Sequence, residues 1–169
     1  SAYACSKLNS ENWLRWFQKC NGGSYISLRF CGFIEGGGII DYIVNQALAN
    51  QDIELFSNGA VARDYLPISA GLDAIIAALN YSPTQGYVPI NIGSGQVIPA
   101  LEIANIICTE LKSVSQIRLL DVPSPQGDFV FCIDRAKSLL AFTPENLENS
   151  IRSYSISQKH RREYGDIRA

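Results

Sequence analysis

Along the 169 residues of this chain, stretches whose apolar residues recur every three or four positions alternate with short stretches whose character changes at every position. No other feature narrows the fold as far. The first period buries one stripe of a helix and the second buries one face of a strand. Strands separated by helices, with short links between them, predict an α/β architecture. Residues 3–19 predict an opening helix with Leu8, Trp13, Leu14, Trp16 and Phe17 available for burial, stopped by Asn21-Gly22-Gly23. The run Tyr25-Ile26-Ser27-Leu28-Arg29-Phe30 then predicts a strand.

Gly36-Gly37-Gly38 predicts a flexible loop, and Ile40, Ile43, Val44, Ala47 and Leu48 line one face of the helix after it. Residues 52–56 alternate again, Ser57-Asn58-Gly59 is a turn, and residues 62–68 read as extended. Ser69 is the expected cap of a helix that buries Leu72, Ile75, Ile76 and Leu79. Residues 87–92 predict a strand closed by Gly93-Ser94-Gly95, and Pro99 opens a helix carrying Leu101, Ile103, Ala104, Ile107 and Leu111. Residues 116–122 predict the next strand. Beyond a Pro-rich loop, Asp134 is expected to cap a short helix and Pro144 to start the last, which carries Leu147, Ile151 and Tyr154.

With 47% hydrophobic and 18% charged residues, the chain falls outside the disordered and collagen-like classes. A net charge of −2 gives no basis for a nucleic-acid partner, and the cluster Lys159-His160-Arg161-Arg162 reads as a solvated helix end. The five cysteines are odd in number and form no C-x-x-C pair, so they read as buried thiols in a reducing cytosol, and no metal site is expected. No apolar run approaches the ~18 residues a membrane span needs, and no leader pattern opens the chain, so a cytoplasmic protein without a membrane partner is expected. There is no methionine, even at position 1, and no strand precedes the first helix, which reads as a piece of a longer chain. No strand, glycine-rich turn and helix follow one another with the spacing that seats a dinucleotide pyrophosphate.

Tyr3 and Lys7 stand four residues apart at the head of the first helix, so a phenol and an ammonium can touch. A cation beside a phenol favours the phenolate, and such a pair can exchange a proton with a substrate hydroxyl. The spacing alone is met in many surface helices. Its weight comes from Ile26-Ser27-Leu28-Arg29, Arg63-Asp64-Tyr65 and Asn91-Ile92-Gly93-Ser94-Gly95, which follow in order, and from Asp134-Arg135-Ala136-Lys137 and Leu140-Ala141-Phe142-Thr143-Pro144 after them. Together with Tyr3-Ala4-Cys5-Ser6-Lys7 they resemble the second half of the extended short-chain dehydrogenases, the NAD-dependent nucleotide-sugar epimerase/dehydratase family.

The resemblance implies the C-terminal part of a Rossmann-like fold. Residues 1–35 would supply the last helix and strand of the Rossmann-like domain, and residues 36–169 mainly the substrate-binding region. It implies NAD or NADP as cofactor of the whole protein, with the seat absent here, and a nucleotide sugar as substrate. Tyr3 matches the family's acid/base, and Lys7 the residue that lowers its pKa and bonds the nicotinamide ribose. Arg63 matches an arginine that grips the diphosphate; its plainer reading is a fold-holding arginine paired with Asp64. Asn91 and the Gly93–Gly95 turn are structural or ligand-binding. Gly32 falls where the family carries a substrate-binding asparagine. Pro67-Ile68-Ser69-Ala70 replaces the family's His-Val-Asp-Asp, and Ser124-Pro125-Gln126-Gly127-Asp128 lacks an arginine often found before Gly-Asp. These departures keep a second reading open, a non-catalytic sugar-nucleotide sensor or scaffold, and a third, a fragment with no function of its own. Strand edges left open by an absent half predict a homodimer or aggregation.

Overall fold

The structure, a computed structural model, describes residues 1–82 and 86–165. Ser1 Oγ accepts a hydrogen bond from Ala4 N at 3.2 Å and so caps helix α1 (Ala2–Asn21). Two glycines with positive φ, Gly22 at 68° and Gly23 at 86°, then reverse the chain. Strand β1 (Ser24–Phe30) therefore runs back along α1, and pairs in parallel with β6 (Gly86–Ile92) from Ser24 opposite Gly86 to Phe30 opposite Ile92. One face of this pair, with Ile26, Leu28, Phe30, Ile90 and Ile92, meets helices α3 (Ile68–Asn80) and α5 (Asp134–Leu140) in a core completed by Ala74, Ile133, Ala136 and Phe142. The other face meets α1.

A second core lies among α2 (Ile39–Ala49), α4 (Ala100–Leu111) and α6 (Leu147–Tyr164). Ile40, Ile43 and Val44 of α2, Ile103 and Ile107 of α4, and Ile151 of α6 are almost wholly excluded from water, each burial contributing about 1.5–3 kcal/mol. Strands β3 (Ile53–Leu55) and β8 (Ile117–Leu119) pair in parallel beside these helices. Helices α2 and α4 stop at Asn50 and Lys112, both left-handed, with φ of 53° and 55°. Two short ladders link the halves: β2 (Gly32–Phe33) is parallel to β5 (Tyr65–Leu66), and β4 (Ala62–Arg63) is antiparallel to β7 (Ile98–Pro99). The parallel pairings and alternating helices make this an α/β fold, as expected.

Helix faces differ from expectation in two places. Leu8, Trp13, Trp16 and Phe17 of α1 are exposed, and the one buried residue of this helix is Glu11. On α3 the aliphatic residues Leu72, Ile75, Ile76 and Leu79 also face out, while Gly71 and Ala74 are buried. Close approach is the reason: a Cβ on Gly71 would lie 2.9 Å from the Phe33 ring, so only the small-residue stripe fits against this part of the core. Helix starts also move slightly. The α3 helix begins at Ile68, whose N–H is capped by Glu35 Oε2 at 2.9 Å rather than by Ser69. Asp134 sits in the first turn of α5 rather than capping it, and Asn146, not Pro144, opens α6 by accepting from Asn149 N at 3.1 Å. Of the cysteines, Cys5, Cys20 and Cys132 are exposed, against the expectation of buried thiols.

Candidate functional site

Glu11 fixes where α1 lies on the sheet. Its carboxylate accepts from Arg29 Nε at 2.6 Å and from Arg29 Nη2 at 2.5 Å, a bidentate pair, and from Ser27 Oγ at 3.4 Å. One turn later the Arg15 guanidinium stacks over the Tyr87 ring, 4.9 Å from its centroid, and Tyr87 lies opposite Tyr25. Advancing along the helix thus means retreating along the strand. A helix rises about 1.5 Å per residue and a strand about 3.3 Å. Lys7 is then roughly level with residue 31, and Tyr3 about 6 Å further on, past the C-terminal ends of β1 and β6. The two side chains touch: Lys7 Nζ lies 5.4 Å from the centroid of the Tyr3 ring, over its face. Tyr3 is 72% exposed.

The Arg29 hydrogen bonds, outweighing the penalty of burial, hold the Glu11 carboxyl down to about 2, and the same pairing raises Arg29 further. Nearby, burial and then the Asp64 charge push the Cys31 thiol up to about 12, which leaves it unreactive.

Asp64 organises the ends of the strands. It is 1% exposed, and its carboxylate accepts from Ser94 N at 2.9 Å, Ser94 Oγ at 2.7 Å, Gly95 N at 3.2 Å and Phe131 N at 3.2 Å. It thereby ties the turn after β6 to residues 129–131, whose backbone also bonds Ala62 and Asp64. A Cβ on Gly93 would stand 2.5 Å from Asp64 Oδ2, so the turn admits only glycine there. Asp64 is thus committed to three backbone amides and the Ser94 hydroxyl, and the expected Arg63–Asp64 pairing is not made. Arg63 instead donates to the Gly127 carbonyl at 2.9 Å and lies over the Phe129 ring at 5.5 Å, half-exposed.

Gly32 is exposed, beside Tyr65, and a Cβ there would come within 3.0 Å of the ring. Asn91 faces the side opposite that of Ile90 and Ile92, level with Arg29, and its amide donates to the Cys132 carbonyl at 3.4 Å. Tyr3 and Lys7 thus lie together, and Gly32 and Arg63 flank Asp64. Glu11 and Asp64 carry the local architecture without having been singled out. Glu11 could have been found as the next member of the series Tyr3, Lys7, Glu11, at i, i+4 and i+8. Asp64 had no such signal, since three of its four donors are backbone amides. A groove of about 520 Å³ between β1 and α3, lined by Ile26, Leu28, Ile75 and Leu79 among others, contains none of these residues.

Residues 1–93 match the NAD dependent epimerase/dehydratase family. A dTDP-4-dehydro-6-deoxyglucose reductase of Escherichia coli is 28% identical over 152 residues, covering 85% of this chain and 47% of that protein. The UDP-glucose 4-epimerase of Thermotoga maritima, solved with UDP-glucose, superposes with a TM-score of 0.80 at 17% identity over 95% of this chain and 53% of its own. The dTDP-glucose 4,6-dehydratase of Bacillus anthracis, solved with NAD, gives 0.79 at 19% identity over 97% of this chain and 54% of its own. These structures share the fold, and the chain spans about half the length of the relatives it matches. With a family match that covers more than half of its residues, from the Tyr3/Lys7 pair to the Gly93 turn, this chain belongs to the NAD dependent epimerase/dehydratase family.

Proposed function

We propose that the chain is the C-terminal, substrate-binding part of an NAD(P)-dependent nucleotide-sugar epimerase, dehydratase or reductase, with Tyr3 and Lys7 as its acid/base pair. The observation that carries this reading is the overhang of α1. Ligands of open α/β sheets bind outside the carboxyl ends of the strands, and Tyr3 and Lys7 lie on the part of α1 that reaches past the ends of β1 and β6. In this reading residues 1–35 close the Rossmann-like domain, β6 extends the same sheet, and most of residues 36–169 form the substrate region.

The residues present fit one end of the cofactor. The Tyr3 hydroxyl and the Lys7 ammonium, both exposed, are donors suited to the hydroxyls of a nicotinamide ribose. Gly36-Gly37-Gly38, between β2 and α2, does not have the spacing that seats a dinucleotide pyrophosphate. When bound, the nicotinamide supplies hydride chemistry. The chain's own residues do the rest: the Tyr3 oxygen takes a proton from the sugar hydroxyl and returns it, and Lys7 offsets the phenolate charge. Arg63, braced by Gly127 and Phe129 with N–H donors to spare, meets the diphosphate.

The test uses the intact protein with UDP-glucose, UDP-N-acetylglucosamine, dTDP-glucose and dTDP-4-dehydro-6-deoxyglucose, in the presence of NAD or NADPH. Tyr3→Phe is expected to lower kcat by about 100-fold or more. Unchanged turnover removes Tyr3 from the mechanism. The absence of a side chain at Gly32, where the family's pattern has a polar one and where a Cβ would stand 3.0 Å from the Tyr65 ring, favours a second reading, a non-catalytic nucleotide-sugar binder. Calorimetric binding of a panel member without turnover of any would support it.

A further inference from the structure

Helix α1 is attached to the sheet in an unusual way. Its sheet-facing stripe is Glu11, Leu14, Arg15 and Gln18, of which Leu14 and Gln18 are half-buried and Glu11 alone is buried. The large apolar residues that would normally anchor a helix, Trp13, Trp16 and Phe17, pack on one another in solvent, with Trp13 and Trp16 ring centroids 5.6 Å apart. Residues 1–10 are all exposed. What fixes the helix near its N-terminal half is one bidentate pair, Glu11 with Arg29, at the penultimate residue of β1.

We propose that Glu11 is a positioning residue that acts through Arg29, holding α1 at the angle that presents Tyr3 and Lys7 beyond the strand ends. This rests on the catalytic reading of that pair. Tyr3 is eight residues before Glu11, about 12 Å along the helix axis. A tilt of about 5° about Glu11 therefore moves Tyr3 by about 1 Å, and a displacement of that size costs about 100-fold in rate. Fork-to-fork pairing of guanidinium and carboxylate fixes direction as well as distance, which a single hydrogen bond or an apolar contact does not. Arg29 is the partner suited to this, since β1 is held along its whole length by β6.

The experiment compares Glu11→Gln, Arg29→Lys and Ile107→Val in the intact protein, on the panel member with the highest turnover. Arg29→Lys keeps the charge and the fold while losing the fork, so it reads out the proposal even where Glu11→Gln folds poorly. Ile107→Val is a destabilised control in α4, far from α1. The expected result is a fall in kcat of about 10- to 100-fold for Glu11→Gln and Arg29→Lys, KM within twofold, and faster amide hydrogen exchange in α1 but not in α4. Ile107→Val is expected to keep kcat. Full activity in both ion-pair variants overturns the proposal, as does an equal loss in Ile107→Val or unchanged exchange in α1. If Tyr3→Phe is inactive while the ion-pair variants are active, this inference alone fails. If Tyr3→Phe is fully active, or no panel member turns over, the catalytic reading falls and this inference with it.

Discussion

Replacing Asp64 by asparagine removes one charge and changes almost no volume, yet it strikes a buried carboxylate that receives four hydrogen bonds. In the native protein Oδ1 accepts from the Ser94 amide and hydroxyl, and Oδ2 accepts from the amides of Gly95 and Phe131. The asparagine oxygen can keep the first pair. Its NH₂ group then faces two N–H donors at 3.2 Å and can accept from neither. Each amide left without an acceptor costs about 1–3 kcal/mol, toward the lower end here because both are only partly buried. A loss of about 2–4 kcal/mol is expected, a large share of the roughly 5–15 kcal/mol that holds a domain together. For a chain of this size about 3 kcal/mol lowers the melting midpoint by about 6–12 °C. Asp128→Asn is the control, since its carboxylate receives one amide, Ala62 N, at the surface. Thermal unfolding followed by far-UV circular dichroism reads both. A midpoint for Asp64→Asn within about 2 °C of the native protein would refute the view that this carboxylate clamps the strand ends.

Two further outcomes follow from burial and charge. Leu79 is 81% exposed and Ala74 is 0% exposed, so Leu79→Ser is expected to change stability by less than about 0.5 kcal/mol, whereas Ala74→Leu overpacks the core and costs about 1–3 kcal/mol. Urea titrations giving the reverse order would mean that α3 buries its aliphatic face after all. The Glu11 carboxyl titrates at about 2 in the folded protein against an ordinary value of 4.5, so the stability it contributes is full above pH 4.5 and is lost as pH falls toward 2. The contribution is on the order of 2–3 kcal/mol, discounted because Arg29 remains 41% exposed to screening water. The gap in urea midpoint between the native protein and Glu11→Gln should therefore narrow between pH 5 and pH 2.5, and a gap independent of pH would contradict the pairing.

Most of the element order was legible because periodicity reports local geometry directly. The stripe Ile40, Ile43, Val44, Ala47 could bury itself only as a helix, and Tyr25 to Phe30 could alternate only as a strand; both form as read. What periodicity does not report is which side of a helix meets the protein. The α3 helix has two stripes that can pack, one of leucine and isoleucine and one of glycine and alanine. Hydrophobicity favours the first, but Phe30 and Phe33 occupy the space in front of the helix and admit only the second, with the Gly71 Cβ position 3.6 and 2.9 Å from their rings. That choice is set by residues some forty positions away, which a local window does not weigh. The same holds for α1, where the bulky residues were legible as apolar and their exposure was not.

The candidate site was legible to the extent that its parts are side chains with a spacing. Tyr3 and Lys7 could be paired from sequence because a helix brings i and i+4 together, and they do meet. The frame around them was hidden because it is built from interactions that carry no spacing. Asp64 serves three backbone amides, which every residue has, besides the Ser94 hydroxyl, and Glu11 reaches Arg29 only because two glycines turn the chain through half a circle between helix and strand. Arg63 shows how the two kinds of information combine. Its place beside Asp64 in sequence suggested an ion pair, but Asp64, between β4 and β5, turns inward to the Ser94 turn while Arg63 turns outward onto Phe129, as successive residues of an extended chain do. The same alternation that denies Arg63 its partner leaves its guanidinium half-exposed, held by the Gly127 carbonyl and the Phe129 ring.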